Sequence, residues 1–163
     1  MIKKILCVCK DNTSLSPILE ALLRLILGQM SVKKHLDGFS EVARTLSSII
    51  VESAGTHNGD SANCLNNPAN PHSITCMAHR GINISGHKSR PLSTININDF
   101  DLIVCMSDAE VEFISKLHPR GAILLANAAN GGIANPYEKG PQAYQECAKT
   151  LEPIAAEIIQ AFF

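Results

Sequence analysis

The sequence of 163 residues lacks a dominant charge: 14 Lys and Arg against 15 Asp and Glu leave a formal net charge of −1. That balance argues against a surface that coats nucleic acid, and 45% hydrophobic residues argue against a disordered chain. No stretch approaches the roughly 18 uninterrupted apolar residues of a membrane span, so no membrane partner is expected. Met1 to Cys9 has the charge-then-apolar order of a signal peptide, but its apolar run is too short and no small-residue cleavage pattern follows. The six histidines are scattered, with no H-E-x-x-H and no paired C-x-x-C, which argues against a metal site; no cofactor motif stands out either. Internal repeats and linkers are absent too. The six cysteines (Cys7, Cys9, Cys64, Cys76, Cys105 and Cys147) are too few for a disulfide scaffold of this length and read as reduced thiols in a cytoplasmic protein. What remains is ordinary globular composition in one domain, 1–163, long enough to bury on the order of 70% of its unfolded surface.

Strand and helix patterns alternate along the chain. Residues 2–9 (IKKILCVC) read as a buried strand, and the polar stretch 10–14 reads as a loop. A helix over 17–28 should follow, with Ser16 as N-cap, Pro17 in its first turn and Gly28 as C-terminal cap. Its sequence is apolar nearly all round, which fits burial or an oligomer contact. Further along come a helix over 41–48, a strand over 49–53, a loop over 58–71 and a helix over 71–79. A strand over 100–106, a helix over 108–117, a strand over 122–126, a loop over 127–137 and a helix over 140–162 complete the chain. This alternation implies an α/β fold with a parallel sheet, whose ligands bind beyond the carboxyl ends of the strands.

Cys9 ends the first strand, just before a polar loop and a helix N-terminus. Loop amides and the helix dipole there favour an anion and would lower a thiol pKa. Position alone favours the commoner role of a small packed cysteine. The surrounding run, Val8 to Pro17 (VCKDNTSLSP), resembles the loop V-C-x-G-N-x-C-R-S-P of the low-molecular-weight protein tyrosine phosphatases. The resemblance covers nearly the whole chain. Ser53-Ala54-Gly55-Thr56 matches the turn after the second strand, and Gly81-Ile82 with His87 and Arg90 matches a G-I…H-x-x-R segment. Asp101 to Met106 matches the third strand, and Asn135-Pro136-Tyr137 falls where the family has Asp-Pro-Tyr. It implies a four-stranded parallel sheet with helices on both faces and a phosphate or phosphotyrosine ligand on residues 10–16.

The resemblance assigns the nucleophile to position 9, the phosphate-clamping arginine to 15, a thiolate-stabilising serine to 16 and the general acid to 135. Cys9, Ser16 and the loop-shaping Asn12 are kept, whereas Leu15 and Asn135 are substitutions. An arginine on the transferring phosphoryl group is worth roughly 10³–10⁵ in rate, and a general acid roughly 10²–10⁴. Asp11 stands where the family has Gly and would repel a phosphate; Ser14 replaces a second loop cysteine, and Ser107 an acidic residue. Lys10, Lys88 and Arg90 are the candidate replacement cations, but lysine lacks the bidentate fork and Arg90 already has a matching place in the family pattern. Lys10 and Thr13 complete the loop, and Tyr137 is the candidate aromatic wall. The expected function is therefore that of a catalytically impaired relative with a binding or regulatory role and no identified protein partner. Two alternatives are an active phosphatase of altered specificity using Cys9 and a thiol-redox or arsenate-reductase-like protein. The last is disfavoured because residues 78–90 hold no resolving cysteine.

Overall fold

A computed structural model of the chain describes residues 1–57 and 65–163. Four strands, β1 (Lys4–Cys9), β2 (Ile50–Gly55), β3 (Leu102–Cys105) and β4 (Ala122–Leu125), form one sheet in the order β2-β1-β3-β4 with every pairing parallel. Among the described residues, five α-helices accompany them: α1 (Leu15–Leu36), α2 (Ser40–Ser47), α3 (Pro71–Ala78), α4 (Asp108–Ser115) and α5 (Pro141–Phe162). The α/β architecture expected from the sequence is the one observed.

The central strand explains why its sequence is apolar without alternation. Ile5, Cys7 and Cys9 face a core that includes Leu19 and Leu23 of α1, Met77 of α3 and Ile159 of α5. Leu6 and Val8 face the opposite core, with Phe100, Ile103 and Ile114 of α4. A strand covered on both faces has no polar side to show. From β1 the chain passes to β2 on one side and returns as β3 on the other, so the carboxyl end of β1 is the switch point where a ligand crevice opens.

Two corrections concern α1. It runs from 15 to 36 rather than 17 to 28, with Ser14 as the N-cap residue, so Ser16 lies in the first helical turn. Gly28 is an exposed interior position and ends nothing. The stop comes at Gly38, whose φ of +87° is the left-handed conformation that a terminating glycine supplies. The added half, 29–36, is held by α2: Ser31 donates to the Ala43 carbonyl at 2.8 Å, while Ala43 and Leu46 are buried. By length and apolar composition α1 could cross a membrane, but half of its most apolar window is buried inside the fold. The loop expected over 58–71, with Cys64, lies partly outside the described residues.

Candidate functional site

The loop after β1 is shaped by Asn12. Its φ of +56° is left-handed, a conformation that asparagine tolerates better than most residues. Every polar group of this buried residue is engaged. Nδ2 donates to Ser16 Oγ and Ser53 Oγ, both at 2.9 Å, and Oδ1 accepts from the Arg90 backbone N–H at 2.9 Å. The carbonyl accepts from His87 Nε2 at 2.7 Å. The Ser53 hydroxyl donates a hydrogen bond to Glu20, which pairs with Arg24 at 2.7 Å; Arg24 in turn donates to the Val51 carbonyl. Loop, β2, α1 and segment 87–90 are thus tied through one side chain.

Cys9 is buried at the end of β1. Ser16 Oγ lies 3.0 Å from its sulfur, and the Asn12 N–H donates to it at 3.3 Å. Because Asn12 already donates to the Ser16 oxygen, the serine proton is free to point at the sulfur. Burial pushes the thiol above its ordinary value. The hydrogen bonds from Ser16 and Asn12 oppose that rise, and the Glu110 charge adds to it.

Cys9 opens onto a cavity of about 80 Å³ lined also by Lys10, Asp11, Ser14, Leu15, Met106, Ser107, Glu110, Ile133 and Asn135. Among the expected site residues this brings together positions 9, 10, 11, 14, 15 and 135. Asn12, Thr13 and Ser16 do not line it: Asn12 and Ser16 are buried behind the sulfur, and the Thr13 carbonyl accepts from the Asn70 N–H at 2.8 Å. Ser14 Oγ lies 3.1 Å from the Tyr144 hydroxyl of α5, so the position expected to face a ligand also fastens the loop to a helix. Tyr137, the candidate aromatic wall, is 53% exposed and lies outside the residues that line this cavity. Its N–H donates to Asn135 Oδ1 at 3.1 Å, which fixes the turn.

The candidate replacement cations separate. Arg90 pairs with Glu52 and donates to the Ser53 carbonyl at 2.9 Å. Arg90 and Lys88 line a different groove of about 780 Å³, which shares no residue with the cavity at Cys9. Lys10 alone of the three reaches that cavity. Asp11 Oδ1 lies 3.3 Å from His57 Nε2.

Met106, Ser107, Glu110 and Ile133 line the cavity without having been singled out by the loop motif. Ile133 is placed by a close approach: its N–H donates to the Met106 carbonyl at 2.7 Å, and a Cβ on Gly132 would meet that same carbonyl at 2.5 Å. Glu110 is buried at the third position of α4 behind the N-cap Ser107, whose hydroxyl donates to its carboxylate. The signal for it was present as S-x-x-E, the pattern of a capping box; here the glutamate half is filled, while the Ser107 hydroxyl bonds to Glu110 and to no helix N–H. Burial pushes its pKa up and Asp11 adds to that, against the Ser107 hydroxyl and the backbone N–H groups of Ser107 and Glu110.

A thiol at the end of a central parallel strand, backed by a hydrogen-bonded serine and asparagine ahead of a helix, defines a cysteine-loop α/β scaffold. The chain belongs to the low molecular weight phosphotyrosine protein phosphatase family, whose model matches residues 4–162. It is 32% identical to the probable low molecular weight protein-tyrosine-phosphatase EpsP of Ralstonia nicotianae, over 93% of this chain and 90% of that one. It is 28% identical to the low molecular weight protein-tyrosine-phosphatase Etp of Escherichia coli, over 94% and 90%. Among solved structures, Vibrio vulnificus Wzb in complex with benzylphosphonate superposes with a TM-score of 0.78 at 19% identity, covering 99% of this chain and all of that one. Wzb from Escherichia coli, in complex with sulphate, gives 0.77 at 23% identity and covers both chains fully.

Proposed function

We infer that this chain, working as one domain over 1–163, is a family member that no longer hydrolyses phosphate monoesters and has a binding or regulatory role on the phosphatase scaffold. One observation carries the reading: the cavity at Cys9 is lined by Leu15, Asn135, Asp11 and Glu110, with Arg90 committed to Glu52 elsewhere. Cys9 occupies the nucleophile position and Ser16 the position that steadies a thiolate. Leu15 offers no charge or donor to a phosphoryl group, and Asn135 has no proton to give a leaving group. The scaffold inherits a place for a phosphate or phosphotyrosine group and offers it no guanidinium. Five reduced cysteines among the described residues agree with a cytoplasmic setting.

The test is turnover of p-nitrophenyl phosphate by the wild-type protein beside Cys9→Ser. Equal background rates are expected; a rate that depends on Cys9 overturns the reading. The hydrogen bonds at the sulfur favour a second reading, a phosphatase confined to substrates with good leaving groups. Cys9-dependent turnover of p-nitrophenyl phosphate, but none of phenyl phosphate, would establish it.

A further inference from the structure

We propose that Glu110 decides which ligands the Cys9 cavity admits: its carboxylate, held in place as a helix cap, bars phosphate and other oxyanions from the thiol. This rests on the non-hydrolytic reading and extends it from a missing cation to a charge of the opposite sign.

Three facts combine. Glu110 is 7% exposed and lines the same small cavity as Cys9, Leu15 and Asn135, so its charge faces the space in which a phosphoryl group would sit. Ser107 holds it there from the N-cap position, and the helix N-terminus offsets part of the burial that opposes its ionised form. The Cys9 thiol feels this charge, and Glu110 feels that of Asp11, so the two carboxylates and the sulfur share one field. An anion entering this space meets the Glu110 and Asp11 carboxylates, with Lys10 as the one lining cation among the described residues, in a cavity of about 80 Å³ too small for water to screen the repulsion well. Loss of the arginine alone would leave a weak anion site; Glu110 makes it a repelling one. An arginine restored at position 15 would have a carboxylate partner before any phosphate arrived.

The cap also supplies a clean variant. Glutamine serves at the third helical position of a capping box as glutamate does, so Glu110→Gln removes the charge and keeps the fastening. The experiment compares alkylation of Cys9 by iodoacetamide and iodoacetate, neutral and anionic reagents of nearly one size, followed by peptide mass spectrometry. Their rate ratio cancels the thiolate fraction and reports charge discrimination alone. Relative to free cysteine, wild-type Cys9 should favour iodoacetamide by about tenfold more, and Glu110→Gln should bring the ratio most of the way back. A wild-type ratio equal to that of free cysteine, or one unchanged in Glu110→Gln, overturns the proposal. A second arm measures inorganic phosphate binding by calorimetry in Leu15→Arg with and without Glu110→Gln. Binding only in the double variant supports the proposal, and equal affinity in both, or none in a folded double variant, overturns it. Cys9-dependent ester turnover by wild type would defeat the non-hydrolytic reading separately, since the alkylation ratio involves no hydrolysis.

Discussion

Asn12 was legible as a loop-shaping residue, but its reach was not. A motif position gives a residue type; three of the five groups that Asn12 engages, on Ser53, His87 and Arg90, come from segments far away in sequence. Replacing it with alanine strands the Ser53 and Arg90 partners and places a less tolerant residue at positive φ. The expected loss is about 3 kcal/mol by chemical denaturation, with the free-thiol count unchanged. Asp101 acts at the same scale: its carboxylate accepts the N–H groups of Lys3 and Lys4 at 2.7 and 2.9 Å, which holds its pKa below the usual value. A carboxyl depressed on folding stabilises above its unfolded pKa, and that contribution is lost as pH falls through its folded value. The stability gap between wild type and Asp101→Asn should therefore be full at neutral pH and close as pH falls through the depressed folded value. A gap independent of pH in denaturant titrations would contradict the assignment. Glu110 has the opposite sign: its raised pKa gives stability that is complete below the unfolded value and lost as pH rises through the folded one. Glu110→Gln should flatten that decline.

Element boundaries were the least legible part, and α1 shows why. A glycine after an apolar run looks like a C-terminal cap when only local propensity is weighed. The helix continues because Ser31 and the α2 residues Ala43 and Leu46 supply packing that the local sequence does not reveal. Gly28 has open space where a Cβ would stand and an ordinary helical conformation. Gly28→Ala should therefore stabilise the protein by about 0.5–1 kcal/mol in thermal or chemical unfolding, whereas a true capping glycine would lose stability. Gly132 answers the other way. At φ +98°, with the Met106 carbonyl 2.5 Å from its would-be Cβ, it is where the 131–137 loop closes on β3. Alanine there should cost about 2 kcal/mol and displace Ile133 and Asn135 from the Cys9 cavity, visible as faster iodoacetamide alkylation.

At the scale of the molecule, the fold was legible because its signals are regular. Apolar strands alternate with helices, and five short motifs fall in family order, so sheet and switch point follow without knowledge of any contact. The cavity was only half legible. Leu15, Asp11 and Asn135 stand at motif positions, where a departure is visible by comparison. Glu110 stands at none; it reaches Cys9 because β3 lies beside β1 and α4 begins where β3 ends. For Tyr137 the motif gives a place in a loop, and the turn closed by its N–H on Asn135 is visible only in the structure.

The fastening of α4 and the lining of the thiol cavity are entrusted to one side chain, and this bears on how such a protein can change by mutation. Substitutions that relieve the negative charge by shortening or deleting Glu110 also uncap a core helix and carry a penalty in folding. Glutamine alone keeps the cap, and it lies one base change from glutamate. The ligand preference of this cavity therefore has a narrow exit, a single step wide, that leaves the fold intact.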